Sequence, residues 1–249
     1  MSPTTEADVL LARRCAELAG AALLAERARP GPGLGDRGDR IAHEVIVGLL
    51  AAERPSDVVL SEEAADDPAR LAADRVWIID PLDGTREFAD TDTVQWAVHV
   101  ALWERGAGLT VAAVGLPGRG LVLDTAAPPV APVAQRRLRI AVSRTRPPEV
   151  ARQVASRLDA QLVPLGSAGY KIAAVLLGEA DAYLHSGGQL QWDSAAPVAV
   201  AQAAGLHASR LDGAPLRYNV AELAIPDLLV ASPPVAEAVL TAIGGRQNR

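Results

Sequence analysis

Cysteine, aromatic residues and long apolar runs are all scarce in this chain of 249 residues. The one cysteine, Cys15, excludes an intrachain disulfide and a cysteine-built zinc site, and its apolar helical surroundings assign it to the core. Aromatics make up only 3%, so the core of a sequence that is 49% hydrophobic must be aliphatic and rich in alanine. No apolar run approaches the ~20 residues of a membrane span. The opening MSPTTEADVL lacks the basic-then-apolar layout of a signal peptide. These absences predict a soluble, cytoplasmic protein with no membrane partner. Basic excess is missing too. A net charge of −6 argues against a nucleic-acid partner, though not against a small anion held through a metal.

What the sequence does offer is the stretch from Val76 to Thr85, VWIIDPLDGT. Its apolar first half, with Ile78 and Ile79 β-branched, predicts a buried strand. The strand ends in an acid, a proline, a second acid, a glycine and a threonine. Two carboxylates released three residues apart from a buried strand are costly unless something positive meets them. A hard divalent cation suits, because it favours oxygen ligands and can also engage a phosphate. A backbone turning at Gly84 would offer N–H groups to an anion on the far side of that cation.

Apolar spacing predicts a helix over residues 6–26, then a breaker at Arg29 to Gly35, RPGPGLG. A second helix is expected to start at Asp39 as its N-cap and to stop before Pro55. A strand at 57–60 leads into Ser61-Glu62-Glu63, with a helical or irregular connection over 64–74. Further strands are expected at 96–103, 109–116 and 120–124. The segment 126–137, AAPPVAPVAQRR, predicts a boundary between an N-terminal α+β domain (1–130) and a C-terminal α/β domain (131–249). Beyond it, strands at 138–142, 161–164, 180–185 and 228–231 alternate with helices at 148–158, 168–177, 193–204 and 235–243. That order predicts an α/β (α+β) fold of mixed sheets sandwiched by helices.

Three strand or helix ends release acids: Glu62 after one strand, Asp80 and Asp83 after the next, and Asp193 at a helix start far downstream. Ligand sites of α/β proteins gather at such ends. Four carboxylates from three segments, with the Leu82 carbonyl as a further oxygen, predict a site for two or more Mg²⁺ ions. Singly, each residue has an ordinary reading. Glu62 and Glu63 would be a solvated loop, Asp193 an N-cap, Asp80 and Asp83 Asx-turn residues. Together, and followed by Gly84-Thr85, they are better read as one site.

Three motifs, LSEE at Leu60 to Glu63, WIIDPLDGT at Trp77 to Thr85 and WDSAAP at Trp192 to Pro197, point to one family. In order and spacing they resemble those of the Mg²⁺-dependent, lithium-sensitive inositol monophosphatase-like phosphatases. Within that superfamily the chain looks most like the CysQ-type 3′(2′),5′-bisphosphate nucleotidases of actinobacteria. The closer match rests on VLSEE, DPLDGTREF, SRT at Ser143 to Thr145, GSAGYK at Gly166 to Lys171 and PLRYN at Pro215 to Asn219. The resemblance implies a layered αβαβα sandwich of the inositol monophosphatase/fructose-1,6-bisphosphatase type. It implies hydrolysis of adenosine 3′,5′-bisphosphate (PAP) to AMP and phosphate, linked to sulfate assimilation, and a protein that is often a homodimer.

The resemblance also distributes roles. It implies two to three Mg²⁺ ions, the first on Glu62, Asp80 and the Leu82 carbonyl, the second on Asp80, Asp83 and Asp193. Glu62 would also help to hold a looser third. Glu62, Asp80 and Thr85 would be catalytic, with Thr85 and Glu62 orienting and deprotonating the attacking water. The backbone N–H groups of Gly84 and Thr85 would hold the reacting phosphate. Asp39 either matches a family acid near the metals or is only an N-cap. Attack by water is direct and in line, so no cysteine or histidine nucleophile is needed. His99 and His185 are accordingly read as ordinary core or surface histidines.

On the substrate side stand Arg86, Arg144, Ser167, Lys171, Gln191 and Tyr218. Arg86, Arg144 and Lys171 are candidates for a second phosphate, with surface charge as the alternative. Tyr218 and Trp192 pack near a sugar or base, or in the core. Gln191 is a departure, because CysQ-like relatives usually carry glutamate before the Trp-Asp pair. An amide can hydrogen-bond a ribose hydroxyl but cannot act as a base or bind metal as an anion. Rival readings are an inositol monophosphatase or fructose-1,6-bisphosphatase, and a non-catalytic metal or nucleotide sensor. An aspartyl-phosphate phosphatase needs its acids two apart, whereas here they are three apart.

Overall fold

The computed structural model describes residues 3–130 and 137–244. The middle of the predicted domain boundary, residues 131–136, lies outside them. Two long helices come first, α1 (Pro3–Arg27) and α2 (Leu34–Glu53). There follow β1 (Val58–Ser61), β2 (Arg75–Asp83), the short α3 (Thr85–Ala89), β3 (Ala97–Glu104), β4 (Gly108–Leu116) and β5 (Leu121–Asp124). These strands form a five-stranded sheet in chain order, antiparallel except for the β1–β2 pair.

The second half contains β6 (Arg139–Ser143), α4 (Glu149–Leu158), β7 (Gln161–Leu165), α5 (Ala168–Leu176) and β8 (Ala182–Leu190). It ends with α6 (Gln191–Ala203), β9 (His207–Ser209), β10 (Ala224–Ala231) and α7 (Pro233–Gly244). Its five strands lie in the order β7-β6-β8-β10-β9. No helix among the described residues is long and apolar enough to cross a membrane.

β2 reads as a continuous apolar run because both its faces are covered. Trp77 and Ile79 pack beneath α1 and α2 with Val98, Val100 and Leu102. Val76 and Ile78 face the other way, onto a core shared with Ile172 of α5 and Ala195 and Val198 of α6. A third core, with Ile140, Leu184 and Leu229, closes the outer face of the second sheet under α4 and α7. The layers therefore run helix, sheet, helix, sheet, helix, and the αβαβα sandwich is the fold observed. Alanine fills the middle layer where aromatics are missing, with Ala195, Ala196 and Ala201 of α6 fully buried.

Several boundaries differ from expectation for identifiable reasons. α2 begins at Leu34, so Asp39 is not its N-cap but lies inside the helix. The chain turns at Gly33, whose φ of 67° is left-handed, and Gly35 joins the helix instead of breaking it. A Cβ on Gly35 would fall 2.6 Å from Thr85 Cγ2, and one on Gly38 would fall 2.6 Å from Phe88 Cε1. The bare backbone lets α2 settle directly on α3, an element the sequence reading did not contain. β8 continues past Gly187-Gly188, where the pairing is bulged, to Leu190 because β10, starting at Ala224, pairs with it on both sides of that bulge. α6 starts at Gln191, which puts Asp193 at the third helical position rather than at the cap.

Candidate active site

Residues three apart on a regular strand point to opposite faces. Asp80 and Asp83 escape that rule. Asp80 pairs with His99 and Asp83 with Ala97, so three steps along β2 match two along β3. The extra residue forms a bulge at Pro81-Leu82, which swings Asp83 onto the face that carries Asp80. That face looks towards the middle helical layer, where α6 begins. Carboxylate oxygens of Asp80, Asp83 and Asp193 all lie within 4.8 Å of one another. Glu62, just past the end of the parallel neighbour β1, stands beside Asp80. The Leu82 N–H donates to Asp80 Oδ1 at 3.1 Å, and the Thr85 hydroxyl donates to the Leu82 carbonyl at 3.3 Å.

Crowding these acids has an electrostatic cost. Burial, then Asp83, Glu62 and Asp193, hold the Asp80 carboxyl well above the usual carboxylate range. Asp193 is pushed up to about 7, chiefly by burial and by Asp83, against the lowering effect of the Leu190 N–H that it accepts at 2.6 Å. Glu62 sits at the open rim, yet loss of water around its inner side raises it as well, with Asp83 and Glu63 adding to the shift. Asp80 Oδ2 is buried without a hydrogen-bond partner. An all-oxygen set of mutually repelling carboxylates with one orphaned oxygen fits a hard divalent cation.

Asp39 belongs to the same neighbourhood. It is 7% exposed, lies close to Thr85, and is pushed up to about 7, mostly by burial and then by Glu63 and Glu62. Its signal in the sequence was the Gly35/Gly38 spacing that brings α2 against Thr85. Gly84 takes a left-handed turn, φ 92°, between β2 and α3. A Cβ there would fall 3.0 Å from Ser167 Cβ and 3.2 Å from the Gln95 carbonyl. The first N–H groups of α3 have no partner within the helix and are free for an anion.

The second half contributes α5 as well as α6. Asp83 accepts hydrogen bonds from the Ser167 hydroxyl, from Ala168 N–H at 3.0 Å and from Gly169 N–H at 2.6 Å. Ser167 adopts φ 50° and ψ 140°, a strained conformation for a residue with a side chain, and is held in it by these contacts. Lys171 is not surface charge. It is 5% exposed, donates to the carbonyls of Gly166 and Ser167, and is lowered to about 8, largely by burial.

Sequence reasoning missed His99. It lies in the core, as expected, but also touches the acids. Nε2 is 3.4 Å from Asp83 and Nδ1 is 3.9 Å from Asp80, while Nδ1 donates to the Trp192 carbonyl at 3.1 Å. Burial lowers its pKa against the pull of Asp83. Its position opposite Asp80 was hidden until the bulge fixed the register. α5 can approach only because residue 169 is glycine, since a Cβ there would fall 1.9 Å from His99 Nε2.

The remaining substrate-side residues divide into two groups. Arg86 and Arg144 are exposed. Arg144 donates to Gln95 Oε1, which also accepts the Gly166 N–H at 2.9 Å, so it stands close to Gly84 and Ser167. Gln191 and Tyr218 are brought not to this open side but into the interior. Tyr218 shares a hydrogen bond with Ser194 at 3.0 Å. Gln191 is fully buried, with both amide hydrogens and its oxygen bound to the backbone of residues 219–222, so no ribose hydroxyl can use them.

Comparison with known proteins fits this arrangement. The chain matches the inositol monophosphatase family over residues 3–244. It is 55% identical over 218 residues, 84% of this chain and 82% of the relative, to a Mycobacterium bovis protein named 3′-phosphoadenosine 5′-phosphate phosphatase. It is 34% identical over 200 residues, 74% of this chain and 79% of the relative, to the 3′(2′),5′-bisphosphate nucleotidase CysQ of Escherichia coli. The crystal structure of CysQ from Bacteroides thetaiotaomicron, a bacterial member of the inositol monophosphatase family, superposes with a TM-score of 0.78 at 27% identity, over 91% of this chain and 97% of that one. A match along nearly the whole chain, on the fold that gathers these acids, leaves one assignment: this protein belongs to the inositol monophosphatase family.

Proposed function

We propose that the chain hydrolyses adenosine 3′,5′-bisphosphate to AMP and inorganic phosphate, as a Mg²⁺-dependent phosphoric monoester hydrolase. The observation that carries the substrate is the 55% identity to a protein named for that activity. The two exposed arginines, Arg86 and Arg144, support it, since a bisphosphate offers a second anion to a rim of that charge.

Glu62, Asp80, Asp83, Asp193 and the Leu82 carbonyl would hold two or three Mg²⁺ ions. Once bound, these supply positive charge to the phosphoryl oxygens and lower the pKa of water. The backbone N–H groups of Gly84 and Thr85 hold the reacting phosphate. Thr85 and Glu62 orient the attacking water. Asp39, buried beside Thr85, is placed to take the proton relayed through that hydroxyl. The water oxygen bonds to phosphorus as the P–O3′ bond breaks, and the 3′ oxygen leaves with a proton drawn from solvent.

The test is phosphate release from adenosine 3′,5′-bisphosphate, inositol 1-phosphate and fructose 1,6-bisphosphate in parallel, with and without Mg²⁺. Turnover should favour the nucleotide, require Mg²⁺ and be inhibited by millimolar lithium. A preference for inositol 1-phosphate would overturn the substrate assignment, and insensitivity to lithium would count against the mechanism.

A further inference from the structure

Two segments that carry candidate metal ligands lie far apart in sequence yet are tied together by one buried polar network. Arg70 sits in the 3₁₀ turn Pro68–Ala72, which follows the loop bearing Glu62. It is 1% exposed, although it is an arginine. Its guanidinium holds Asp66 with two bonds, at 2.6 and 3.1 Å, and donates to the Val220 carbonyl at 3.1 Å. With Asn219 it forms a reciprocal pair. Arg70 Nη1 donates to Asn219 Oδ1 at 2.9 Å, and Asn219 Nδ2 donates back to the Arg70 carbonyl at 3.2 Å.

Asn219 stands in a left-handed conformation, φ 51°, which asparagine tolerates better than most residues and which turns its N–H towards Gln191. That N–H donates to Gln191 Oε1 at 2.6 Å. Gln191 Nε2 donates in turn to the carbonyls of Val220 at 2.9 Å and Glu222 at 2.8 Å, while its own N–H donates to Leu223 at 2.9 Å. Four hydrogen bonds thus fix the first residue of α6. Two residues later comes Asp193.

We infer that Gln191, Asn219 and Arg70 are positioning residues for cation binding: they clamp the Glu62 loop and the start of α6 to one turn, residues 219–222, and so set the spacing of the carboxylates. This rests on the proposed assignment of those carboxylates as metal ligands. It also accounts for the amide at position 191. Two carbonyl oxygens face that side chain and need hydrogens, which a glutamate carboxylate does not have. Outer partners of this kind govern metal affinity by orienting the ligands themselves.

The experiment uses the full chain with three substitutions, Gln191→Glu, Asn219→Gly and Arg70→Lys. Calorimetric titration with Mg²⁺ alone, without substrate, gives the affinity, and thermal unfolding monitors the fold. In Gln191→Glu the Mg²⁺ dissociation constant should rise by about 10–100-fold, while KM for adenosine 3′,5′-bisphosphate at saturating Mg²⁺ stays within about twofold. Asn219→Gly keeps the left-handed turn but loses the pair with Arg70, and should weaken Mg²⁺ in the same direction. It carries the test should Gln191→Glu fail to fold. Unchanged Mg²⁺ affinity with lowered thermal stability would reduce the network to a structural brace and overturn the inference. A raised KM at unchanged Mg²⁺ affinity would return Gln191 to the substrate and overturn it equally. Because the calorimetry needs no turnover, an inactive protein with weakened Mg²⁺ binding would sink the proposed reaction and leave the positioning role standing.

Discussion

Gly169 donates its backbone N–H to the carboxylate of Asp83 at 2.6 Å, joining the helical layer of one half to the strand bulge of the other. With Ser167 and Ala168 it gives Asp83 three donors at the start of α5, where the helix dipole favours a negative charge. Asp80 accepts only the Leu82 N–H at one oxygen and has no hydrogen-bond partner at the other. Two acids three residues apart are therefore prepared for different duties. Asp83 is anchored, and Asp80 is left in need of a cation.

Asp80→Asn and Asp193→Asn should both abolish Mg²⁺-dependent phosphate release while leaving the fold intact. Removing a direct ligand should cost more than the ~10–100-fold typical of an outer partner. Asp80→Asn should also raise the melting temperature of the metal-free protein, because it deletes one of four repelling carboxylates. Phosphate release and circular dichroism on the same samples check both statements, and substantial activity in either variant would sink the site assignment.

Stability of the metal-free protein should depend on pH in an unusual direction. Asp39 and Asp193 are pushed up to about 7, and Asp80 and Glu62 are raised, so the folded state binds protons more tightly than the unfolded one. That stability is fully present below the unfolded carboxylate values and is lost as pH rises through the folded ones. Melting temperature should therefore climb as pH falls from about 8 to about 6.5, at ~2–4 °C per kcal/mol for a chain of this size. Below that window the lowered pKa values of His99 and His185 oppose the trend, because both histidines lose stability on acidification. Lys171, at about 8, exerts its effect only above the window. Differential scanning calorimetry with and without Mg²⁺ checks the sign. Saturating metal should flatten or invert the slope.

Thr85→Ala should lower kcat by roughly 10²–10⁴-fold if its hydroxyl relays the proton, whereas Thr85→Ser should retain most of the rate. Asp39→Asn should act in the same direction as Thr85→Ala, and the double variant should be no worse than the weaker single one. Additive losses would show that the two residues do not act as one unit.

Gly169→Ala should destabilise the protein by about 1–3 kcal/mol, since the added methyl meets an imidazole with no room to yield. Combining it with His99→Ala should recover part of that loss, a coupling readable from a double-mutant cycle in urea. Independent effects of the two changes would contradict the close contact.

The layered fold was legible because β2 carries the apolar run Val76 to Ile79 and α6 the apolar run Ala195 to Ala201, which double-sided burial explains. The acids were legible as a group because each borders an apolar run. Other features depend on contacts that no local pattern encodes. Gly35 looks like a helix breaker until Thr85 is seen to occupy the space where its Cβ would stand. The second sheet's β9 is a short edge strand with no strong alternation, and β10 reaches back to Ala224 only because β8 offers it a partner. Gln191 resembled a substrate contact since it stands just before the Trp192-Asp193 pair, where similar proteins usually carry glutamate, but the turn at 219–222 claims its amide first.

Of the four tryptophans, two adjoin the acids. Trp192 gives its carbonyl to His99 and immediately precedes Asp193, and Trp96 lies beside Gly84 and stacks edge-on against Phe88. Both indole N–H groups are buried without a partner. In a protein so poor in aromatics, two of its four tryptophans thus stand within the shell of the site. Charge brought into that shell should alter the light these rings emit, so a Mg²⁺ titration followed by intrinsic tryptophan emission should report without a label when the site fills.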